Sequence, residues 1–158
     1  MSNQIMSTLN IARQMTLGKI EDISEDLFPV QPPQFNNTIA WNLGHIAATF
    51  DGLVFRAITG SGRLPQEFIA MFKGGTRPSE WTQTPPSKAE LIEILKQQIN
   101  EANEHFAGKM DQVLETPLQI RHFKLETAGD VIGFATIHEM MHNTTILNLL
   151  KVINHQNS

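Results

Sequence analysis

The chain has 158 residues, which is enough for one compact domain with a single core, so we predict one domain over residues 1–158. Its 12 Lys and Arg against 16 Asp and Glu give a formal charge of -4, whereas a nucleic-acid-binding surface is basic, so we predict no nucleic-acid partner. With 6 His and 0 Cys, disulfides and Cys-based zinc sites are excluded, and any metal must be bound by nitrogen and oxygen ligands.

The N-terminal part of the chain predicts a helix and then a linker. Residues 1–10 lack the basic region and apolar run of a secretory signal, and no apolar run is long enough to span a bilayer, so we expect a soluble cytoplasmic protein without a membrane partner. Apolar residues recur at helical spacing over residues 3–23, which predicts a first helix. Prolines within residues 27–35 remove backbone donors and predict a linker.

A second helix is predicted to follow the polar residues Asn37 and Thr38, either of which can cap it. Its apolar residues form two opposite stripes, which is typical of a helix packed between other helices. The helix is predicted to end at the Gly60-Ser61-Gly62 segment. Residues 63–86 then form a long connection rich in Gly and Pro, with one short helix predicted over residues 65–72.

The third and fourth helices are predicted from their capping residues. Ser87 and Glu90 form a capping box, and apolar positions at helical spacing extend the third helix to Val113. Residues 118–125 alternate loosely and are either extended or irregular. Asp130 is predicted to cap a fourth helix over residues 131–154, after which residues 155–158 should fray. Four helices without a convincing strand predict an all-α bundle.

Two histidines on the fourth helix stand out from its packing pattern. His138 and His142 lie one turn apart, about 6 Å along the axis, inside the apolar stripe that should face the core. Both rings can therefore reach one metal ion. The residues alone leave a second interpretation open, in which two core histidines each have a separate hydrogen-bond partner.

The segment His138-Glu139-Met140-Met141-His142 also matches the HExxH pattern of zinc proteases, in which the Glu is the general base. The surrounding sequence does not support this function. A metzincin would continue with Gly and His at the positions that Thr145 and Asn148 occupy, and few residues follow His142. We therefore do not predict a protease.

His45 is the best candidate for a third ligand, because it lies near the middle of the second helix beside small residues. Its position on the helical wheel is about 120° from the main apolar stripe, and by itself this favours an exposed side chain. The remaining histidines lie in polar, irregular or terminal segments and are predicted to be solvated: His105, His122 and His155.

Two motifs resemble the DinB-like (DinB/YfiT) superfamily of metal-binding four-helix bundle proteins, and the likeness covers nearly the whole chain. Residues 41–47, with the sequence WNLGHIA, are similar to the family's W-x-L-G-H-I-A motif, and His138 with His142 is similar to its H-x-x-x-H motif. The resemblance implies that His45, His138 and His142 bind one divalent metal, with Zn or Ni expected. It also implies an up-down-down-up bundle, with residues 63–86 as the crossover between helices two and three, and a homodimer.

The resemblance further implies a function on small molecules. Relatives include transferases and isomerases that use low-molecular-weight thiols such as bacillithiol, so we expect a metal-dependent thiol S-transferase acting on small electrophiles. The alternatives are a metal-dependent hydrolase assisted by Glu139, and a non-enzymatic metal-binding or dimerising stress protein. Members typically follow the histidine pair with x-Gly-Gln, whereas this chain has Asn143-Thr144-Thr145, a difference that affects the pocket and hence the substrate. Helical neighbours that could orient the ligands are Asn42, Thr49, Glu139 and Thr145.

Overall fold

The computed structural model describes residues 2–156, with side chains from residue 4 onward, and most of these residues are helical. The elements in chain order are α1 (Ser2–Glu21), α2 (Ile39–Phe50), α3 (Ala57–Thr59), α4 (Gln66–Phe72), α5 (Lys88–Phe106), β1 (Val113–Ile120), β2 (Phe123–Thr127) and α6 (Ala128–Gln156). A π-helical segment, Asp51–Arg56, joins α2 to α3, so the predicted second helix is continuous as far as Gly60. Gly60 ends it with a φ of 81°, a left-handed conformation that glycine adopts without strain.

The helix starts follow from side chains that accept exposed backbone N–H groups. The Thr38 hydroxyl accepts from the Trp41 N–H at the start of α2, and Ser87 forms the predicted capping box with Glu90 at the start of α5. At α6 the prediction of an Asp130 cap is wrong. The Asp130 N–H donates to the Thr127 hydroxyl, and the Asp130 carboxylate accepts from the Thr127 N–H, so the helix begins earlier, at Ala128.

The expectation of an all-α fold is corrected by a two-stranded antiparallel hairpin. Leu118 of β1 pairs with Leu125 of β2, so residues 118–125, which the sequence left open, are extended on both sides of a turn. The third helix ends at Phe106 rather than at Val113, because the chain turns at Gly108, whose φ is 74°.

Pro117 lies within β1, although a proline is unusual inside a strand. The register between the strands is irregular from Val113 to Leu118, so the missing N–H of Pro117 falls where the regular pairing is interrupted. Leu114 and Leu125 are buried against Val131, and the hairpin thereby covers the beginning of α6.

A buried ion pair joins two of the long helices, and a further hydrogen bond from its arginine reaches a third. The Arg13 guanidinium on α1 donates to both carboxylate oxygens of Glu139 on α6, at 2.9 to 3.1 Å, and to the Leu95 carbonyl on α5 at 2.7 Å. The Arg13 and Glu139 side chains are each 1% exposed. Such a pair must keep both partners, because loss of one leaves an uncompensated charge in the core.

Helix α2 is buried on almost every side, as its two apolar stripes predict. Among Ile39–Phe50 only Thr49 is not buried. Leu43 and Ile46 join the main core, whereas Trp41 and Ala48 pack with Phe72 of α4. A side chain at Gly44 would collide with the Phe72 ring, so this glycine allows α4 to pack directly on α2. Within residues 2–156, no helix combines the length and the apolar character that crossing a bilayer requires.

Candidate metal centre

The structure brings together the three histidines that the sequence selected. His45 on α2 and His138 and His142 on α6 each offer a ring nitrogen, and these atoms lie within 4.8 Å of one another. The ring centroids are 4.5 to 5.0 Å apart. The predicted exposure of the other three histidines is confirmed, since His105, His122 and His155 are all exposed.

His45 is only 9% exposed, so the prediction from its wheel position alone is wrong. The physical reason is that a helical wheel treats α2 in isolation. In the structure α4 packs over this side of α2, and its last residue, Phe72, lies against the His45 ring. The covering element comes from the long connection, whose position the sequence does not reveal.

The backbone fixes the tautomer of His45. Its Nδ1 lies 2.7 Å from the Phe72 carbonyl oxygen, which can only accept, so Nδ1 carries the proton and Nε2 keeps its lone pair. The Trp41 indole stacks on the His45 ring at 4.7 Å with an angle of 9° between the planes. Trp41 is itself anchored, because its Nε1 donates to the Thr76 hydroxyl at 3.0 Å. These contacts hold the His45 ring with Nε2 available to a ligand.

Asn42 fixes the tautomer of His142 in the same way. The Asn42 amide nitrogen donates to the Thr38 carbonyl at 2.8 Å and to Asn37 Oδ1 at 3.0 Å, which identifies the remaining amide atom as the oxygen. That Oδ1 lies 2.8 Å from His142 Nδ1. His142 therefore donates from Nδ1 and keeps the lone pair on Nε2, as metal-binding histidines do when a neighbouring oxygen orients them.

Burial keeps the three imidazoles neutral. Desolvation lowers the pKa of His45, while its hydrogen bond to Phe72 opposes this effect. Desolvation, with the nearby His45 as a smaller cause, lowers the pKa of His138 to about 4. The pKa of His142 is lowered to about 3, by desolvation first and then by His45 and His138. Since a metal binds only the neutral ring, the site is ready for a ligand at neutral pH.

Two of the four predicted polar neighbours contact the histidines. Asn42 orients His142, and the Thr49 hydroxyl lies 3.4 Å from His45 Nε2. Thr145 instead donates to the Met141 carbonyl of its own helix, and Glu139 is committed to Arg13. Trp41 and Phe72 also position His45, and neither role is predicted from the sequence. The spacing of Trp41, four residues before His45, was a usable signal, whereas a backbone carbonyl such as that of Phe72 leaves none.

The donor set fits a divalent metal ion. Three neutral imidazoles suit Zn, Ni and related ions, and three protein ligands leave a position for water or substrate, as in catalytic rather than structural zinc sites. Two of the three rings already have an oxygen acceptor on Nδ1. Among the residues that the structure describes, His45, His138 and His142 form the one group of at least three candidate metal ligands.

Comparison with known proteins identifies the family of the chain. No curated protein matches the chain. The sequence model of the DinB superfamily matches residues 8–146, which include the three histidines and all four long helices in whole or in part. The chain therefore belongs to the DinB superfamily.

Proposed function

We propose that His45, His138 and His142 bind one divalent metal ion, Zn or Ni, and that the protein is a metal-dependent transferase that joins a small thiol to a small electrophile. The observation that carries this proposal is the matched orientation of two imidazoles. His45 and His142 both donate Nδ1–H to a protein oxygen, so both present Nε2 within a cluster whose ring nitrogens lie within 4.8 Å.

The chemistry proposed for the site needs no nucleophile from the protein. The bound metal supplies Lewis acidity, which lowers the pKa of a thiol or a water molecule in its open position. In the overall reaction a thiol RSH and an electrophile R′X give RSR′ and HX, so the thiol proton and the leaving group depart together. The chain has 0 Cys, which is consistent with a thiol that arrives as a separate small molecule of the bacillithiol kind.

A hydrolase is less well supported, because the candidate general base is already engaged. Glu139 accepts hydrogen bonds from Arg13 through both carboxylate oxygens and is 1% exposed. A general base must lie within hydrogen-bond reach of the water that it deprotonates. The residues that do contact the histidines are neutral: Trp41, Asn42, Thr49 and the Phe72 carbonyl.

The metal site is tested by elemental analysis of protein purified without a histidine tag. We expect near-stoichiometric Zn or Ni in the wild type and its loss in His45→Ala, His138→Ala and His142→Ala. His105→Ala, which changes an exposed histidine, is the matched control and should keep the metal. Absence of metal in folded wild type after incubation with Zn and Ni salts would overturn the proposal.

The reaction is tested with a halogenated dinitrobenzene as the electrophile and 2-mercaptoethanol as the thiol. If the protein is a transferase, loss of the electrophile should require the protein, the metal and the thiol, and it should stop when a chelator is added. Turnover without thiol would instead indicate a hydrolase. Metal uptake with neither activity, across a panel of thiols and electrophiles, would indicate a metal-binding protein without catalysis.

We also propose a single domain with the up-down-down-up arrangement of α1, α2, α5 and α6. Paired contacts support it. Residue numbers increase together along α1 and α6 in the contacts Arg13–Glu139 and Thr16–Asn143, as expected for parallel helices. Along α2 and α6 they change in opposite directions, in the contacts Asn42–His142 and His45–His138, as expected for antiparallel helices.

We propose that the protein forms a homodimer and acts in the cytoplasm, where small thiols are kept reduced. Support for the dimer comes from large apolar side chains that are 55 to 65% exposed on α1 and α6, at spacings of one helical turn: Ile11, Met15, Ile137 and Met141. Ile11 and Met15 lie on the solvent-facing side of α1, and Ile137 and Met141 lie on that of α6, so each helix presents a pair of apolar side chains to a partner. Sedimentation equilibrium of the wild type and of Met15→Glu tests this proposal.

A further inference from the structure

A cavity of about 250 Å³ adjoins the histidine cluster on the side of α4. Seven residues line it: Ala48, Thr49, Gly52, Leu53, Ile69, Lys73 and Gly74. Two of them contact or approach His45. The Thr49 hydroxyl lies 3.4 Å from His45 Nε2, and a Cβ at Gly74 would lie 4.0 Å from His45 Cε1. A molecule in this cavity would therefore lie beside the proposed metal position.

The lining of this cavity carries positive charge and no negative charge. Lys73 is the only charged residue in it, and no Asp or Glu contributes. The Lys73 ammonium group makes no hydrogen bond or ion pair within the part of the chain that the structure describes. A larger cavity of about 330 Å³ in the long connection differs, because Glu67, Glu80 and Arg77 give it both signs.

The histidine cluster adds no negative charge. An imidazole carries no negative charge in either protonation state, and the Glu139 carboxylate on α6 is paired with Arg13. A divalent ion bound by three neutral ligands keeps its full charge, so the surroundings favour a negatively charged partner. The rest of the lining is small or apolar, with Ala48, Leu53 and Ile69 beside two glycines.

We propose that this cavity binds a small organic anion with a short apolar body, in which the anionic group pairs with Lys73. The apolar body lies along Ala48, Leu53 and Ile69, and the opposite end of the molecule reaches Thr49 and the histidines. This inference rests on the proposed function, since it assigns a chemical class, small carboxylates and similar anions, to one of the reactants. At about 250 Å³ the cavity is slightly smaller than the range of about 300–1,000 Å³ for most ligand sites, which limits the reactant to a few heavy atoms beyond its charged group.

The test uses three probes that share an apolar body and differ in charge: hexanoate, hexan-1-ol and hexylammonium. Binding is followed by backbone amide NMR of the metal-free and the Zn-loaded protein. We expect hexanoate to shift the amides of Gly52, Ile69 and Gly74 in both forms, more tightly in the Zn-loaded form. Hexan-1-ol should bind more weakly than hexanoate, and hexylammonium should not bind.

Variants separate the role of Lys73 from general charge. Lys73→Gln should weaken hexanoate binding about fivefold, the size typical of a partly exposed ion pair, and Lys73→Arg should retain it. Lys151→Gln makes the same charge change at an exposed position outside the cavity and should have no effect.

Each result supports or overturns the inference, and it does so separately from the proposed function. Equal binding of hexanoate and hexylammonium would overturn the inference. Hexanoate affinity that is unchanged in Lys73→Gln would also overturn it, and this is the result expected if the carboxylate binds the Zn directly. If the protein fails to bind Zn, the proposed function fails, whereas the metal-free titration still decides whether the cavity selects anions.

Discussion

His142 on α6 donates Nδ1–H to Asn42 Oδ1 on α2 over 2.8 Å, and this bond joins the two helices that carry the three histidines. Because Asn42 is held in turn by Asn37 and the Thr38 carbonyl, the orientation of His142 is decided by residues at the start of α2. The cap of one helix thus positions a candidate ligand on another.

Removing this bond should weaken metal binding without unfolding the protein. In Asn42→Leu the His142 ring loses the acceptor that selects its tautomer, and loss of such a partner typically costs about 10-fold to 100-fold in metal affinity. Competition with a chromophoric chelator measures the change. Asn103→Leu, which removes an amide that joins α1 and α5 outside the cluster, is the control. Equal Zn affinity in Asn42→Leu and wild type would contradict the assigned role of Asn42.

Gly44 should be essential for the packing that orients His45. In Gly44→Ala the added Cβ collides with the Phe72 ring, so α4 must move and the bond from His45 Nδ1 to the Phe72 carbonyl is disturbed. We expect a loss of about 1–3 kcal/mol in the free energy of unfolding, typical of overpacking, together with weaker Zn binding.

Gly18→Ala is the matched control for this substitution. Gly18 lies in α1 with nothing within 4 Å of the added Cβ, so the change should stabilise the protein by about 0.5–1 kcal/mol through helix propensity. Urea unfolding of both variants measures the difference. A Gly44→Ala protein as stable as Gly18→Ala would show that α4 does not pack on α2 as described.

Arg13 and Glu139 should be needed as a pair for stability and not for metal binding. Arg13→Met leaves the Glu139 carboxylate buried without its partner and should cost about 3–5 kcal/mol. The double variant Arg13→Met/Glu139→Leu removes both charges, so it should recover part of that loss and still bind Zn. Lys124→Met breaks an ion pair that is 58% and 54% exposed and should cost less than about 1 kcal/mol. Loss of Zn binding in a folded double variant would indicate that Glu139 contributes to the metal site.

The sequence could predict what depends on neighbours along one helix. The capping box at Ser87 and Glu90 and the Thr38 cap follow from local spacing, and the structure confirms both. His138 and His142, predicted to lie within the stripe that faces the core, are half-buried. Burial of His45 could not be predicted from its wheel position, because it depends on the packing of Phe72 from a distant segment. The family resemblance supplied that residue instead.

The hairpin was missed for a related physical reason. Apolar residues that lie on one face of a helix can also lie on one face of a twisted strand when a segment is short. The prediction rested on Met110 and Val113, whose spacing resembles a helical turn, but Met110 is buried whereas Val113 is 71% exposed. Gly108, whose φ is 74°, separates them from α5, but a lone glycine in sequence does not reveal that it adopts a left-handed conformation.

The stability of the metal-free protein should fall as the solution becomes mildly acidic. His138 and His142 have folded-state pKa values of about 4 and about 3, below their ordinary value of 6.5, and burial is the main cause. Well above pH 6.5 these rings are neutral in both states and the difference has no effect. As the pH falls from about 6.5 towards about 4, the unfolded chain takes up protons that the folded protein does not, so the free energy of unfolding decreases.

Urea unfolding between about pH 7 and about pH 5 isolates this contribution from the carboxylates. A hydrogen bond from the Glu126 N–H lowers the pKa of Asp130, and one from the Ser87 N–H lowers the pKa of Glu90. The stabilisation that these two carboxylates provide is therefore also lost in acid, but only as the pH approaches their ordinary pKa values of 3.8 and 4.5. His142→Gln should show a shallower decline than wild type, because one group that the unfolded state protonates is gone, whereas His105→Gln, at an exposed position, should follow the wild-type curve. A wild-type stability that stays constant across this range would mean that the imidazoles are solvated in the metal-free protein, and the closed packing around His45 would then depend on the metal.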